Sequence, residues 1–271
     1  MGYPTVLLHG MWCTEQHMAR LDNLLSARTY DCRRFSLPAH TPGPQQAGQV
    51  AALSIREYVK AAGAFIQTQN FTQPPILVGH SMGGLLAQLL APGVQPAALV
   101  LLTPAAPAGV NSVVPAALPF AFPILARWGF WKKSHGLTPE RARSLATNGL
   151  SRERQDSIYA GLLQDSGRVL SEIAFWWADS QHSTRVDAAL VTCPVYVVSA
   201  GKDHLIPASV VRKVAARYPG ATHRHWPERG HWVIDDLDSE DMVHEIDGWL
   251  RPILQRASRV STSYTNRGLR A

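Results

Sequence analysis

Nine residues, Ile76-Leu77-Val78-Gly79-His80-Ser81-Met82-Gly83-Gly84, close an apolar run with a serine set between glycines. Within them Gly79-His80-Ser81-Met82-Gly83 fits G-x-S-x-G, with a buried strand expected before it and a helix-forming run, Leu85 to Leu90, after it. A strand-to-helix turn this sharp strains its central residue, and glycines on either side relieve the crowding. The hydroxyl is then held out above the sheet edge, beside the free amides and dipole of the helix amino end, which favour developing negative charge. Glycine is common, so the strand and helix context carries more weight than the bare pattern.

A serine hydroxyl needs a base to become nucleophilic near neutral pH, and the base needs a third group to fix its tautomer. The chain offers both in the order Ser, Asp, His. The apolar run Val195 to Ser199 leads into Ala200-Gly201-Lys202-Asp203-His204, and Thr222 to Trp226 leads to Glu228-Arg229-Gly230-His231-Trp232. Alone, a loop Asp is usually solvated and a loop His is usually polar surface. Together, Ser81, Asp203 and His231 follow three strand ends and form the expected catalytic set. Asp235 and Asp236 fall too soon after His231 and read as the start of the last helix. His204 is expected to point elsewhere, and His80 is the variable position of the turn. Acyl transfer also requires donors for an oxyanion. The amide of Met82, directly after the serine, supplies one, and the loop Leu8-His9-Gly10-Met11-Trp12 the other, with Met11 the expected donor because Gly10 permits the turn. His9 reads as structural, bonding loop backbone.

These loops must be held by a scaffold. Thr5 to Leu8, Ile76 to Val78, Ala98 to Leu102 and Val195 to Ser199 are short, continuously apolar runs, as expected for strands buried on both faces. Tyr30 to Leu37 and Thr222 to Trp226 are weaker strand candidates. Helices are expected over about Thr14 to Ala27, Gln49 to Thr68, Met82 to Leu90, Pro207 to Arg217 and Ser239 to Leu250. This alternation implies an α/β fold with a mostly parallel sheet and helices on both faces. Residues 1–103 and 187–250 form its core. The rhythm breaks over 104–186, where Pro104, Pro107, Pro115, Pro119 and Pro123 exclude one continuous helix at the start, and the stretch reads as an inserted, mainly helical cap. It holds Phe120, Phe122, Trp128, Phe130, Trp131, Phe175, Trp176 and Trp177. Most of these rings read as cap core. Trp128, Trp131, Phe175, Trp176 and Trp177, with Trp12 and Trp232 from the catalytic loops, are the expected lining of an apolar substrate site.

The motifs LLHGMW, GHSMGG, GKDHLIP and ERGHW together resemble the α/β-hydrolase superfamily, over roughly residues 4 to 250. Within it the compact start is similar to plant methyl-ester esterases, pyrethroid-type carboxylesterases and hydroxynitrile lyases. The resemblance implies about six core strands in the order 4-3-5-6-7-8 of the family's strand labels, the first two family strands being missing. It implies a serine hydrolase cleaving carboxylic esters of small-to-medium hydrophobic or aromatic substrates through an acyl-enzyme on Ser81, with water as second substrate and neither metal nor organic cofactor. A serine in place of aspartate disfavours haloalkane dehalogenase and the Asp-type epoxide hydrolase. In plant hydroxynitrile lyases a Lys follows the triad His, where this chain has Trp232. Thioesterase, lactonase, C–C bond hydrolase and perhydrolase chemistry stay open on the same residues, as does a non-catalytic ligand receptor.

Bulk composition narrows the setting. The net charge of +6 over 271 residues would suit nucleic acid, but Arg251, Arg256, Arg259, Arg267 and Arg270 sit in residues 251–271 without an acid. The body is therefore nearly neutral and no nucleic-acid partner is expected; the basic tail reads as polar, aperiodic and disordered. The amino end lacks a basic region and a long apolar run, so neither a secretory signal nor membrane insertion is expected there. Cys13, Cys32 and Cys193 are odd in number and far apart, which favours a reducing, cytoplasmic compartment over disulfides or a metal site.

Overall fold

Among the described residues eight strands organise the fold: β1 (Tyr3–Leu8), β2 (Tyr30–Phe35), β3 (Ile76–His80), β4 (Ala98–Leu102), β5 (Ser134–His135), β6 (Asp165–Ser166), β7 (Val195–Ala200) and β8 (Thr222–Trp226). The computed structural model describes residues 2–111, 127–236 and 239–268, with side chains through Arg256. Six strands form one parallel sheet in the order β2-β1-β3-β4-β7-β8. This is the order implied by the resemblance. β3, β4 and β7 are buried along their whole lengths, because both sheet faces are covered and alternate side chains enter opposite cores. Val6, Leu8, Leu77, Leu99 and Val197 pack on one face; Leu7, Ile76, Val78, Val100 and Val198 pack on the other.

Helices α1 (Ala19–Ser26), α2 (Gln46–Val50), α3 (Ile55–Thr68) and α4 (Met82–Val94) fill the first half. The expected helix over Gln49 to Thr68 divides into α2 and α3, because Ser54 starts a new helix. Its hydroxyl accepts from the Glu57 amide at 3.4 Å, and its own amide donates to Glu57 Oε2 at 2.6 Å. This reciprocal cap satisfies two amide groups that a helix start would otherwise leave open. Ile55, Tyr58, Ala62 and Ile66 then form the buried stripe of α3.

The last helix differs from expectation. It spans Ser239–Gly268 and does not end near Leu250, so a backbone helix occupies most of the tail read as disordered. Pro252 lies inside it and forgoes one ladder bond without ending the helix. Met242, Val243, Ile246 and Leu250 bury its inner face, and Tyr30 Oη donates to Asp247 Oδ1 at 2.9 Å. Asp235 and Asp236 precede this helix and are not part of it. Asp235 instead pairs with Arg20 and with Arg154. No helix among the described residues is long and apolar enough to cross a membrane.

Between β4 and β7 the described residues, 104–111 and 127–186, include the helices Arg152–Ala160 and Gly167–Ala174 and several shorter helical turns among irregular stretches. They also contain a small antiparallel ladder, β5 with β6, that the sequence did not disclose. Pro115, Pro119, Pro123, Phe120 and Phe122 lie outside the described residues.

Candidate active site

The turn from β3 into α4 places Ser81 at φ 55° and ψ −122°. A positive φ costs a non-glycine residue about 1–2 kcal/mol, and neighbouring backbone holds it in place. The Ser81 amide donates to the Leu102 carbonyl at 3.0 Å, while its carbonyl accepts from Gly84 and Ala105 amides at 2.9 Å each. Glycine is required at the two flanking positions by backbone approach: a β-carbon on Gly79 would lie 2.2 Å from the Gly83 carbonyl oxygen, and one on Gly83 2.1 Å from that of Leu8. The sequence anticipated crowding between side chains; here the backbone itself does the crowding.

Asp203, in the loop after β7, and His231, in the loop after β8, meet at the same end of the sheet. His231 Nδ1 lies 2.8 Å from Asp203 Oδ2, and both residues are buried. Asp203 Oδ1 accepts from the amides of Leu205 at 2.9 Å and Ile206 at 2.7 Å. Because a carboxylate only accepts, His231 Nδ1 carries a proton, and Nε2 is the ring nitrogen turned away from Asp203. The His231 carbonyl accepts from Thr103 Oγ1 and His80 Nε2, both at 3.1 Å. His204 turns away, as expected, with Nδ1 donating to the Ser144 carbonyl at 2.8 Å.

His80 occupies the variable position of the turn but is fully buried, its ring 4.9 Å from that of His231. Donation to the His231 carbonyl fixes its proton on Nε2, and burial drives its pKa well below the usual histidine value. It therefore packs beneath His231 as a neutral ring. His9 is structural, as expected. Its Nδ1 donates to the Gly10 carbonyl at 2.9 Å, its Nε2 accepts from the Leu37 amide at 3.2 Å, and burial followed by the charge of His40 lowers its pKa to about 3.

The loop after β1 passes directly over the serine. A β-carbon on Gly10 would stand 2.9 Å from Ser81 Cβ, so only glycine lets Met11 and Trp12 come this close. Gly10, Met11, Trp12, Ser81, His231 and Trp232 all border one enclosed cavity of about 10 Å³. Cys13, His80, Leu137, Ala146, Leu162 and Leu205 complete its wall. Met82 does not line it; it follows Ser81 at the first position of α4, with its side chain in the core. The walls are mostly aliphatic or indole.

Of the seven expected lining residues, Trp12 and Trp232 border this cavity and Trp128, Trp131, Phe175, Trp176 and Trp177 do not. Four of those rings join Phe130 in a ladder of their own: Trp128 with Trp131 at 5.2 Å, Trp131 with Phe130 at 5.4 Å, Phe130 with Phe175 at 6.3 Å and Phe175 with Trp177 at 5.9 Å. Trp128 and Trp177 end it in solvent, 91% and 70% exposed. The insertion instead sends Leu137, Ala146 and Leu162 to the cavity, residues whose aliphatic types gave no chemical cue.

A further group that sequence reasoning missed is Asp165, fully buried in the insertion. Its Oδ2 accepts from the Trp12 amide at 3.0 Å and faces His40 Nε2 at 3.1 Å; its Oδ1 accepts from Tyr58 Oη at 2.9 Å and from the Ser166 amide at 2.7 Å. These partners are scattered over the chain, so no local motif marks the residue.

The fold and these loops define one protein class. Residues 5–245 match the model of the alpha/beta hydrolase family, and the chain belongs to that family. No curated protein sequence matches it. Among solved structures it is similar to a methylesterase from Arabidopsis (13% identity, TM-score 0.67, covering 94% of this chain and 99% of that one). It is also similar to the monoacylglycerol lipase of Paleococcus ferrophilus (22% identity, TM-score 0.65, 93% and 97%). A third is tomato Methylketone Synthase I complexed with 2-tridecanone (12% identity, TM-score 0.69, 94% and 99%).

Proposed function

We propose that the protein is a carboxylic ester hydrolase acting through an acyl-enzyme on Ser81. The observation that carries this reading is the 2.8 Å contact between His231 Nδ1 and Asp203 Oδ2, made by a residue that lines the same cavity as the strained Ser81; with Nδ1 so held, Nε2 is the nitrogen left to act as base. In the reaction Ser81 Oγ attacks the ester carbonyl carbon while His231 Nε2 takes its proton. The tetrahedral oxyanion is held by the amides of Met11 and Met82. Collapse expels the alcohol, which receives the proton from His231, and leaves an ester on Ser81. Water then attacks that ester with His231 again as base, releasing the acid and restoring the serine. Asp203 stabilises the imidazolium in both halves.

The insertion acts as a cap that sets the substrate. Trp12, Leu137, Ala146, Leu162, Leu205 and Trp232 offer apolar surface with few polar partners, which supports apolar acyl groups; the cavity of about 10 Å³ holds about one water, so these side chains must part to admit an acyl group. Each methylene buried adds about 0.8 kcal/mol, roughly fourfold in kcat/KM. The methylesterase and lipase names among the structural relatives support ester chemistry for this chain, and Trp232 after His231 speaks against the lysine-dependent lyase alternative.

The test is a panel of p-nitrophenyl esters from acetate to long-chain and benzoate, run beside a thioester and a lactone, with Ser81→Ala as control. Moderate apolar esters should exceed acetate by about tenfold to a hundredfold. Acetate as the best substrate, or a thioester or lactone far ahead of every ester, would overturn the assignment.

A further inference from the structure

Trp12 follows Met11 directly, and it is the most heavily tethered residue of the loop over Ser81. Its backbone takes a left-handed φ of 62°, unfavourable for so large a side chain. Three groups hold it there. The amide donates to Asp165 Oδ2 at 3.0 Å, the carbonyl accepts from the Leu163 amide at 2.7 Å, and the indole Nε1 donates to the His135 carbonyl at 2.9 Å. All three partners belong to the insertion. The bond to Asp165 fixes the peptide plane between Met11 and Trp12; the preceding plane, which carries the Met11 amide, is held through the Gly10 carbonyl, which accepts from His9 Nδ1 at 2.9 Å and from the Cys13 amide at 3.4 Å, so Met11 is fixed from both sides.

Asp165 is itself held rigidly. Both oxygens face two donors each, which fills the accepting capacity of a carboxylate. Its charge has a buried counterpart in His40, whose Nδ1 faces the Pro38 carbonyl at 2.9 Å and whose Nε2 faces the carboxylate. A carbonyl and a carboxylate both need a donor, so both ring nitrogens carry protons and His40 is an imidazolium. A buried ion pair is a poor way to gain stability compared with apolar packing. A site that must hold an amide to within a fraction of an ångström has use for such a fixed, saturated acceptor.

We propose that Asp165, braced by His40, is a positioning residue for the oxyanion site: the insertion locks the Gly10-Met11-Trp12 loop so that the Met11 amide meets the developing negative charge. The role rests on the acyl-transfer reading above. It makes the insertion part of the catalytic apparatus as well as a wall for the substrate.

The experiment compares wild type, Asp165→Asn, His40→Gln and Tyr30→Phe on p-nitrophenyl butyrate, with butylboronic acid as a mimic of the tetrahedral state and Ser81→Ala alongside. An amide at 165 must present its NH₂ to donors on one side, which frees the loop or pushes it away. Asp165→Asn is expected to lower kcat by about tenfold to a hundredfold and to weaken boronate binding by a similar factor, with KM within about threefold. His40→Gln keeps a donor without the charge and should give the same split at about threefold to tenfold; it carries the test if Asp165→Asn does not fold. Tyr30→Phe removes a remote buried tyrosine–aspartate bond and controls for stability, leaving both readouts within about twofold. Folded Asp165→Asn or His40→Gln with kcat and boronate affinity at wild-type levels would overturn the positioning role, as would equal losses in Tyr30→Phe. Wild-type turnover by Ser81→Ala would identify a different failure, that of the acyl-transfer reading, and the positioning role would fall with it.

Discussion

His231 Nδ1 stands 2.8 Å from Asp203 Oδ2, although the two residues sit on separate loops after β7 and β8. The parallel pairing of those strands, Ala200 opposite Trp226, brings the two loops to the same sheet end. The remaining Asp203 oxygen is occupied by the Leu205 and Ile206 amides, so the carboxylate cannot swing away from the imidazole.

Asp203→Asn tests this coupling. The new side chain can keep its oxygen on the Leu205 and Ile206 amides, which turns its NH₂ toward His231 Nδ1. The imidazole must then carry its proton on Nε2 and lose its function as base. A fall in kcat of about 10³ to 10⁴ with little change in melting temperature is expected. Steady-state kinetics beside a thermal melt checks both parts, and an unchanged kcat would remove Asp203 from the reaction.

Gly10→Ala probes the approach of the loop after β1 to the serine, and with it the proposed oxyanion role of Met11. Its β-carbon would lie 2.9 Å from Ser81 Cβ, so the loop must shift, at a cost of about 1–3 kcal/mol in stability. Because Met11 shifts with it, kcat is expected to fall about a hundredfold in protein that still folds. Circular dichroism and ester turnover measure the two effects, and wild-type turnover would mean that the loop has slack.

The Asp165–His40 pair gives the protein a pH-dependent element of stability. Burial opposes the charge on His40, but the Asp165 carboxylate more than offsets this and raises the His40 pKa above its ordinary value of 6.5. Burial likewise works against the Asp165 charge, yet His40 and the amide donors bring its pKa below 3.8. Other titratable groups around the pair are neutral near pH 7: His9 and His17 are lowered, Cys13 and Tyr58 raised, each chiefly by burial. Glu57 and Glu172 act on Tyr58, whose hydroxyl donates to Asp165. A raised histidine contributes below its unfolded pKa and loses that contribution as pH rises through the folded value; a lowered carboxylate loses its contribution as pH falls through its own. The melting-temperature gap between wild type and Asp165→Asn should therefore be widest between about pH 4 and 6.5 and narrow on the alkaline side. A gap that is flat or grows with pH would contradict the charge assignment.

Substrate choice should follow the residues bordering Ser81 and not the exposed ladder. Leu162→Ala is expected to move the preferred acyl chain longer by one or two methylenes, each worth roughly fourfold in kcat/KM. Trp177→Ala, with most of its ring in solvent, should leave the preference within about twofold. A p-nitrophenyl ester series on both variants decides between them, and the reverse pattern would return the substrate to the aromatic ladder.

How far the sequence alone reveals this arrangement depends on how local each cause is. β1, β3, β4 and β7 are readable because strands buried on both faces must be apolar throughout, and Ser81, Asp203 and His231 because each directly follows such a strand or its neighbour. β8 was weaker: at the sheet edge its residues Thr222 to Trp226 are partly exposed and carry little hydrophobic pattern. The end of the last helix is not legible because the sequence after Leu250 is polar and aperiodic, whereas the backbone continues helical through Pro252 to Gly268. The cavity-lining leucines and Asp165 are not legible for a different reason. Their roles arise from contacts more than a hundred residues apart in the chain, such as Trp12 with Asp165, and no spacing encodes those.

The most direct test of the central claim is an acid-quenched reaction with p-nitrophenyl butyrate, followed by intact-mass measurement and peptide mapping. Wild-type protein is expected to gain the mass of one butyryl group, located on the peptide containing Ser81, while Ser81→Ala gains none and loses turnover by about 10⁴ to 10⁶. Undiminished hydrolysis by folded Ser81→Ala, with no butyryl group on the wild-type serine, would contradict it.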